Sequence, residues 1–584
     1  MPHLKSLYPP IPEPPVVNCY DFVFDRPDVK SWPDYTLHID GVTGEKRRFR
    51  DFCERVADCA TALSAPQALG GLGLHAGAPS PEFVGILSNN SLEFPVVVMS
   101  LLKIAVPIAF FPSLLTEGEV TALLRLSRLS WLFVSPQLYP LARAAAGQIG
   151  LADDRIIVLQ GHVPGHQSVE DLVQNVRARN IARVATQPVQ RDTLAYMVFS
   201  SGTSGLPKGV MISHCNVIVS TLQPIVTMQE MAKFYKPAPL NTPEKIPVHL
   251  AFLPFYHSMG LHSSILRTFL QPQTIVILPK WNPGHFIQVM LKQVHVYKIS
   301  HLGVVPSLIQ TVMSSPQLVK LALDNVVHVM TGAAYLPPEL RDNSGPKKIS
   351  TDKRSQGFGM SECTLAALML PLPGSFGGTV ERVPGMTGIL LPGMEARIVR
   401  QDGSEADFDE AGELWLRGQN VALGYWNNEQ ATRETFLPDG WLRTGDGFKA
   451  DRAVVRLQDT LKISGSQVSP AEIENTLLQQ PDRLVTDVAV AGVQGVRLAD
   501  EQVPRAWIVL SEEGRRRGEA AVFAALDQWA RTRLSKPKWL RGGYEVVAEI
   551  PKLPTGKVLR RRLQEAFAAK RKREDVEAGT RAKL

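Results

Sequence analysis

The sequence predicts an α/β protein, with a large N-terminal domain of several parts and a small α+β domain near its C-terminal end. Its 584 residues exceed what one hydrophobic core holds, because single cores stop growing near ~250–300 residues. Apolar runs of strand length alternate with helical runs, and the texture changes near Gly377 and again near Arg456. A content of 44% hydrophobic and 20% charged residues is ordinary for a soluble globular protein.

The alternation of strand-like and helical runs begins near Pro81. Four apolar runs have strand length: FVGILS, VPIAFF, SWLFVS and RIIVLQG. Two runs between them have helical spacing: SLEFPVVVMSLLKIA and LYPLARAAAGQI. This pattern predicts βαβ-type units around a parallel sheet, and it resumes in VHLAFLPF, SSILRTFL and TIVILPK. Such sheets bind ligands where their strands end. LAYMVFSSGTSG runs from an apolar strand into a loop of glycine and serine, so we expect a ligand there.

The later part of the chain changes character twice. Short strands and turns after Gly377, such as MEARIVRQDG and GELWLRG, predict a small β-barrel-like part. SPAEIENTLL then predicts a helix with Ser469 as N-cap, Pro470 in its first position and Glu472 as the capping-box acid. The strand-like LVTDVAVAGV and RAWIVL and the helical AAVFAALDQWARTRL suit a small α+β domain. We expect an N-terminal domain over 1–455, a C-terminal domain over 456–564 and a basic tail over 565–584.

Charge, hydropathy and cysteine content exclude several classes of protein. Much of the net charge of +7 lies in LRRRLQEAFAAKRKRE, a run typical of a solvated face or tail, so nucleic-acid binding is not expected. Lys103, Pro107 and Pro112 interrupt the most apolar stretch, so no membrane span is expected, and the N-terminus lacks the apolar core of a secretory signal. The scattered cysteines have no zinc spacing and predict buried thiols in a reducing compartment: Cys19, Cys53, Cys59, Cys215 and Cys363.

The last three residues, Ala582, Lys583 and Leu584, are a close variant of the C-terminal Ser-Lys-Leu peroxisomal address. They predict a peroxisomal location and the peroxisomal import receptor as a partner. The alternative is an unstructured basic tail on a cytoplasmic protein.

The stretch FSSGTSGLPKGV has the composition of a phosphate-binding loop: small residues, hydroxyls, glycines and one lysine. It is not a P-loop, because that motif needs glycine directly before the lysine and serine or threonine directly after it. Here Pro207 precedes Lys208 and Gly209 follows it. The stretch is therefore a nucleotide loop of another kind, or a solvated turn.

Further motifs decide between these readings. Six motifs follow the loop in this order: FLPFYHSMGL, TGAAYLPPEL, QGFGMSE, GELWLRGQNVALGYW, GWLRTGDG and PKLPTGKVLRRRL. With them the sequence resembles the adenylate-forming superfamily of acyl- and aryl-CoA ligases, peptide-synthetase adenylation domains and beetle luciferases. GAAYLPPEL and LPKW look most similar to 4-coumarate–CoA ligases and their relatives. The resemblance spans nearly the whole chain and implies an AMP-binding N-terminal domain and a C-terminal lid domain joined at a hinge.

The resemblance implies an ATP-dependent carboxylic acid–CoA ligase for an aryl or aliphatic acid. The carboxylate attacks the α-phosphorus of ATP, which gives an acyl adenylate and pyrophosphate, and the thiol of coenzyme A then displaces AMP. Both steps need fixed positive charge and hydrogen-bond donors near phosphate oxygens. By this resemblance, ATP or AMP is bound by Ser200, Ser201, Gly202, Thr203, Ser204, Lys208, Gln356, Gly357, Phe358, Ser361, Asp446, Arg456, Lys462 and Lys557.

Particular roles follow from the same resemblance. Gln356, Gly357 and Phe358 form the adenine site, with the aromatic ring on the base. Ser361, where the family usually has threonine, reaches the α-phosphate, and Glu362 holds Mg²⁺, which prefers oxygen ligands.

Two further residues contact the nucleotide in the family. Asp446 accepts hydrogen bonds from the ribose hydroxyls, and Arg456 contacts ribose or phosphate. Lys557 reaches across from the other domain and bridges the carboxylate and α-phosphate oxygens.

The acyl and coenzyme A sites are assigned in the same way. His257 matches the motif histidine beside the acyl and thiol channel, although a lone histidine near apolar residues can also be structural. It is counted as catalytic with Ser361, Glu362 and Lys557. The resemblance assigns six residues to the acyl pocket: His257, Met259, Ser263, Gly332, Ala333 and Ala334. It assigns coenzyme A binding to Lys280, Ser464 and Gly465. Met259 in place of the tyrosine of coumarate ligases makes the pocket softer and less polar, which weakens the case for a phenolic acid.

The hinge departs from the family pattern. Val455 replaces the hinge aspartate, and Gln458 replaces a lysine. Ser464 stands where a lysine often helps the second step. The segment after Asp446 is also shorter than usual, which removes most of a hairpin. These changes leave open a degenerate protein that binds ATP or acyl-AMP, or makes only the adenylate. Amino-acid adenylation is disfavoured, because FYHSMG lacks the aspartate that binds an α-ammonium group. Luciferase-like oxygenation remains open.

Overall fold

The computed structural model describes the chain in segments: residues 3–76, 83–201, 207–237, 239–279, 293–294, 296–304, 325–332, 354–383, 386–400, 402–451, 457–460, 462–463, 466–467, 470–494, 502–534, 538–552 and 558–581. It has several mixed sheets with helices packed against them, which confirms the α/β fold class. The boundaries expected near residues 455 and 564 remain predictions.

The strands of the described residues are numbered in chain order. They are β1 (Leu4–Lys5), β2 (Thr36–Asp40), β3 (Lys46–Arg48), β4 (Phe83–Leu87), β5 (Ile108–Phe111), β6 (Leu129–Val134), β7 (Ile156–Val158), β8 (Leu194–Ser201), β9 (Pro207–Ser213), β10 (Val248–Ala251), β11 (Thr274–Ile277), β12 (His301–Val304), β13 (His328–Thr331), β14 (Arg354–Phe358), β15 (Leu368–Met369), β16 (Ile389–Leu390), β17 (Glu395–Val399), β18 (Ala411–Arg417), β19 (Gly424–Tyr425), β20 (Leu442–Ala450), β21 (Leu457–Thr460), β22 (Lys462–Ile463), β23 (Ser466–Gln467), β24 (Val485–Gln494), β25 (Gln502–Leu510) and β26 (Tyr544–Val546).

The helices are numbered in the same way. They are α1 (Cys19–Phe24), α2 (Pro27–Lys30), α3 (Phe49–Ser64), α4 (Glu93–Lys103), α5 (Glu117–Ser127), α6 (Tyr139–Gly147), α7 (Val169–Ala178), α8 (His214–Ala232), α9 (Ser258–Leu261), α10 (Glu429–Thr435), α11 (Pro470–Leu478), α12 (Glu512–Arg517), α13 (Glu519–Arg533) and α14 (Arg560–Arg581). A π-helical turn, His262–Leu266, follows α9, and a single 3₁₀ turn, Ser361–Cys363, follows β14.

The first large sheet has the order β19-β9-β8-β5-β4-β6-β7. Strands β8, β5, β4, β6 and β7 run parallel, whereas β9 and β19 are antiparallel additions at one edge. The βαβ units predicted from Pro81 onward are present, since α4 joins β4 to β5 and α5 joins β5 to β6. Helix α8 begins with a capping box in which the side chains of Ser213 and Asn216 bind each other's backbone N–H.

The second large sheet has the order β16-β15-β14-β13-β12-β10-β11-β2-β3, and its central strands are parallel. Three histidines lie side by side across it, because His301 is in register with both His249 and His328. The ring centroids of His249 and His301 are 4.6 Å apart, and those of His301 and His328 are 5.7 Å apart. We call this row the histidine ladder. It lies where these strands begin, away from the edge at which they end.

The third sheet is antiparallel, with the order β1-β17-β18-β20-β21. It occupies the region expected to be barrel-like, but its described strands form an open row and do not close on themselves. Strands β20 and β21 pair from Gly447–Thr460 to Ala450–Leu457, so a hairpin is retained at the shortened segment. Gln458 lies on β21, and Val455 lies outside the described residues.

The C-terminal region has the small α+β architecture that the sequence predicts. Strands β24, β25 and β26 form its sheet, and α11 and α13 pack on one side through Ile473, Val522 and Leu526. Helix α11 begins at Pro470 as expected, whereas Ser469 lies outside the described residues.

The thiol and membrane expectations can also be compared with the structure. Four of the five cysteines are buried, Cys53 is partly exposed, and none forms a disulfide. Among the described residues, every helix is too short or too polar to cross a bilayer.

Candidate active site

The phosphate-loop motif lies between two paired strands. Strand β8 runs to Ser201 and β9 begins at Pro207, and Ser200 is in register with Lys208 across this pair. The loop therefore follows the end of β8, the last of the parallel strands in this sheet, as the sequence predicts. The other loop residues assigned to phosphate, Gly202, Thr203 and Ser204, lie outside the described residues.

Glu362, the expected Mg²⁺ ligand, meets the phosphate loop directly. Its side chain is almost fully buried, at 5% relative exposure, although carboxylates are rarely buried without partners. The Ser200 hydroxyl donates to Glu362 Oε1 at 3.0 Å, and the Tyr425 hydroxyl donates to the same oxygen at 3.0 Å. The Glu362 carbonyl also accepts from the Ala422 N–H at 2.9 Å. Two segments distant in sequence, at Ser200 and Tyr425, thus converge on one carboxylate.

Tyr425 is a site residue that the sequence analysis did not identify. It lies on β19, which pairs with β9 so that Tyr425 is opposite Val210. Its ring centroid is 4.8 Å from Lys208 Nζ, within the range of a cation–π contact. Burial, with the charge of Glu362 and its hydrogen bond, raises the pKa of the Tyr425 phenol far above its ordinary value, so the hydroxyl stays protonated and donates. The motif GELWLRGQNVALGYW contains this tyrosine, but nothing in its spacing indicates the partner.

The proposed adenine segment forms strand β14 and its end. Gln356 is buried and in register with Thr331, and the Phe358 ring packs edge-on against Phe448 with centroids 5.0 Å apart. Asp446, the expected ribose ligand, lies on β20 two positions before Phe448. The contact between Phe358 and Phe448 therefore joins β14, which carries the expected adenine residues, to β20 of another sheet, which carries the expected ribose ligand.

Ser361 connects this segment to the acyl motif. Its hydroxyl lies 3.2 Å from the hydroxyl of Ser258, a second residue that the sequence analysis missed. Ser258 begins α9, and His257 is the N-cap of that helix, with Nδ1 accepting the Met259 N–H at 3.3 Å. This acceptor role requires Nδ1 without a proton, so the neutral ring carries its hydrogen on Nε2. Ser361, the expected α-phosphate residue, thus contacts the residue that follows the motif histidine.

Gly332, at the end of β13, lies near Met259, another residue expected to line the acyl pocket. A Cβ placed on Gly332 would lie 3.2 Å from the Gly357 carbonyl oxygen and 4.0 Å from Met259 Cε. Only glycine leaves this space open beside the expected adenine segment. The Ser263 hydroxyl donates to the Met259 carbonyl at 2.6 Å, so it is committed to its own helical turn.

The remaining predicted site residues cannot be placed. Seven of them lie outside the described residues: Lys557, Arg456, Lys280, Ala333, Ala334, Ser464 and Gly465. The backbone of Lys462 belongs to β22, where it pairs with Gln467. The roles given to these residues stay predictions.

The fold matches those of solved adenylate-forming ligases. An anthranilate–CoA ligase in complex with anthranoyl-AMP superposes with a TM-score of 0.77 at 22% identity, covering 95% of this chain and 98% of that chain. ATP-bound MatB from Rhodopseudomonas palustris gives a TM-score of 0.74 at 22% identity, covering 94% of this chain and 98% of that chain. At these identities the likeness establishes the fold alone.

Sequence relatives cover most of the chain as well. An acyl-CoA ligase of Alternaria alternata, AKT1, is 29% identical over 95% of this chain and 96% of its own length. A probable 4-coumarate–CoA ligase of Dictyostelium discoideum is 32% identical over 72% of this chain and 69% of its own length. The peroxisomal OPC-8:0-CoA ligase 1 of Arabidopsis thaliana is 29% identical over 90% of this chain and 89% of its own length.

The pattern of the AMP-binding enzyme family matches residues 26–426, well over half of the chain. The chain therefore belongs to the AMP-binding enzyme family, and the resemblance drawn from its motifs is confirmed.

Proposed function

We propose that this chain is an ATP-dependent carboxylic acid–CoA ligase, which forms an acyl adenylate and then transfers the acyl group to coenzyme A. The observation that carries the proposal is the convergence of Ser200, Glu362 and Tyr425 beside Lys208. A hydroxyl, a carboxylate and an ammonium group meet at the end of β8, where nucleotide phosphates bind in such sheets. Family membership and relatives named as acyl-CoA ligases support the same reaction.

The first half-reaction needs the negative charge on the phosphates to be held in place. Lys208 would attract the phosphate oxygens, and its half-buried position strengthens that attraction. Ser361 and Ser258 place two more hydroxyls at the neighbouring turn, 3.2 Å apart, where an α-phosphate oxygen can accept from either. We assign the acid to the space between this turn and Gly332.

The donor set fits Mg²⁺ bound together with ATP. Among the described residues, no three histidine, cysteine, aspartate or glutamate side chains are grouped as metal ligands. Mg²⁺ in nucleotide enzymes is usually held by one or two carboxylates together with phosphate oxygens and water, and Glu362 offers one such carboxylate. When bound, the ion neutralises charge on the pyrophosphate that leaves.

The second half-reaction brings the thiol of coenzyme A to the acyl carbon. His257 stands at the start of α9 beside the proposed acyl pocket, with its Nδ1 tied to the Met259 N–H. The ring is therefore held in one orientation next to the reacting carbon. We assign it to the thiol channel.

The acid is an aryl or aliphatic carboxylic acid. Gly332 keeps the entrance open, and Met259 gives the pocket an apolar and adaptable wall. The relatives include one named as an OPC-8:0-CoA ligase and one named as a probable 4-coumarate–CoA ligase, so their names give different acids.

A substrate panel tests the proposal. The purified protein is incubated with Mg²⁺, ATP, coenzyme A and aryl and aliphatic acids, and AMP, pyrophosphate and acyl-CoA products are followed by mass spectrometry. We expect AMP and the matching acyl-CoA with at least one acid, and neither from Glu362→Gln. Folded wild-type protein that releases no AMP with any acid contradicts the proposal.

The altered hinge supports a second candidate, an enzyme that stops at the adenylate. Val455 and Gln458 replace the residues that the family pattern has there, and hinge residues control the domain movement between the two half-reactions. The same panel separates the two functions. Pyrophosphate release without acyl-CoA favours the adenylate-only enzyme, and both products together favour the complete ligase.

We further propose that the protein is directed to peroxisomes by Ala582, Lys583 and Leu584, which the peroxisomal import receptor would bind. The Arabidopsis relative is named as a peroxisomal enzyme, which supports the proposal. A fluorescent protein fused to the N-terminus should collect in peroxisomes, and the same fusion lacking these three residues should remain in the cytosol. Equal distributions of both fusions would exclude this signal.

A further inference from the structure

We propose that Tyr425 is a positioning residue of the ATP site, which holds Glu362 through its hydroxyl and Lys208 through its ring. In this arrangement the tyrosine keeps two opposite charges from pairing with each other, so that each remains ready for the nucleotide and its cation. The inference rests on the proposed function, because that function assigns Lys208 to phosphate and Glu362 to Mg²⁺.

Tyr425 contacts both charged groups. Its hydroxyl is 3.0 Å from Glu362 Oε1, and its ring centroid is 4.8 Å from Lys208 Nζ. Both charged side chains are described, and no ion pair joins them. Ser200, which is in register with Lys208, donates to the same Oε1 atom as Tyr425. Both donors thus act on one oxygen of the carboxylate, which leaves Oε2 as the atom to face a cation.

The need for such a spacer follows from electrostatics. Opposite charges that line one partly buried site attract strongly, because the protein interior screens them less than water does. A direct pair between Lys208 and Glu362 would have to break before either could bind MgATP. An aromatic face satisfies an ammonium group without taking up its charge, and a phenol hydroxyl orients a carboxylate without neutralising it. Tyrosine provides both surfaces in one side chain.

Tyr425 is itself held rigidly. The Leu423 N–H donates to the Met211 carbonyl and the Trp426 N–H donates to the Gly209 carbonyl, which fixes β19 against β9 on both sides of the tyrosine. The Trp426 indole N–H donates to the Leu126 carbonyl at 3.0 Å. A side chain supported in this way can impose a geometry on its neighbours.

The test separates the hydroxyl from the ring. Tyr425→Phe removes only the hydroxyl, Tyr425→Leu also removes the ring, and Glu362→Gln gives the effect of losing the ligand charge. Tyr139→Phe is the matched control, because the Tyr139 hydroxyl donates to the Asp153 carboxylate at 3.1 Å, away from the site. Calorimetry measures ATP binding to each folded variant with Mg²⁺ and with EDTA, so the readout does not depend on turnover.

We expect wild-type protein and Tyr139→Phe to gain ATP affinity from Mg²⁺ equally. Tyr425→Phe should require roughly tenfold more Mg²⁺ for the same gain, the usual loss when a partner of a metal ligand is removed, with ATP binding in EDTA unchanged. Tyr425→Leu should also weaken ATP binding in EDTA, because Lys208 is then released to Glu362. In a Lys208→Met background, Tyr425→Leu should have no further effect in EDTA, and this second measurement does not depend on the phenylalanine variant.

Three results would overturn the inference. Wild-type Mg²⁺ dependence in Tyr425→Phe, with its loss in Glu362→Gln, would mean that Glu362 binds the ion without help from Tyr425. Unchanged Mg²⁺ dependence in Glu362→Gln would remove the basis of the inference, whereas the ligase function would still be judged by AMP release. Wild-type protein that binds no ATP under either condition would contradict both.

Discussion

The histidine ladder makes stability depend on pH in a way that can be calculated. Burial lowers the pKa of His301 to about 4, helped by the neighbouring His328, and burial together with Arg382 lowers that of His328 to about 4. The unfolded chain therefore binds more protons than the folded chain below pH 6.5, so stability is complete above this pH and falls as the pH falls towards 4. For one such imidazole the loss between pH 7 and pH 5 is about 2 kcal/mol.

The perturbation is His301→Gln, which keeps a polar side chain in the middle of the ladder and removes one titrating group. Urea unfolding at pH 7 and pH 5, followed by hydrogen exchange of peptides that cover β10, β12 and β13, measures the free energy of this sheet. We expect the loss between the two pH values to be smaller in the variant by about 2 kcal/mol, the contribution of one imidazole. His249 adds to this difference, because the charge of His301 is one of the causes, after burial, that lower the pKa of His249, and the variant lacks it.

The matched control is His162→Gln. His162 is exposed and lies outside the ladder, so this variant measures the effect of losing a histidine elsewhere in the chain. An equal loss of stability in His301→Gln and in wild-type protein would mean that His301 is not kept neutral by the fold, and the reasoning from burial would be refuted.

Three other predictions concern the site. Gly359→Ala would place a Cβ 1.9 Å from the Leu365 carbonyl oxygen, so we expect about 1–3 kcal/mol of destabilisation and loss of AMP formation. Thermal unfolding measures the first effect and the substrate panel measures the second. Gly303→Ala is the control and should match wild type, because no atom lies within 4 Å of its added Cβ. Gly332→Val should raise the KM for the acid at least tenfold with little change in the KM for ATP, because its Cβ points toward Met259 and the Gly357 carbonyl; equal effects on both substrates would argue against a place in the acyl pocket. Lys557→Ala should lower the rate of adenylation at least a hundredfold and leave ATP affinity within about twofold, the pattern of a group that acts in the transition state; a normal rate of pyrophosphate release would show that Lys557 has another role.

Local patterns in the sequence predict what local forces decide. The βαβ units from Pro81 follow from the alternation of apolar runs, and the position of Ser200 at a strand end follows from the residues before it. The start of α11 at Pro470 follows from helix-capping chemistry. Each of these features depends on fewer than about twenty neighbouring residues, so the local sequence is enough to predict it.

The partners of Glu362 and Ser361 could not be predicted in the same way. Tyr425 reaches Glu362 because a two-residue strand, β19, adds to the edge of a sheet formed much earlier in the chain. Ser258 meets Ser361 because the turns that follow β10 and β14 lie at the same edge of the second large sheet. Hydropathy and spacing are properties of one segment, whereas these contacts are properties of the sheet order. The histidine ladder was missed for the same reason, since its members are separated by dozens of residues.

The pairing of β19 with β9 also constrains the order in which the protein becomes competent. The two donors to the Glu362 carboxylate, Ser200 and Tyr425, lie more than two hundred residues apart in the chain, with Glu362 between them. Closing such long loops is slow, and during synthesis β9 leaves the ribosome long before β19 can reach it. Until then β9 is an unpaired sheet edge that can pair with other strands. A nascent chain that stops before Tyr425 therefore lacks both the site and the protection of that edge, so chaperone demand should fall sharply once β19 has emerged.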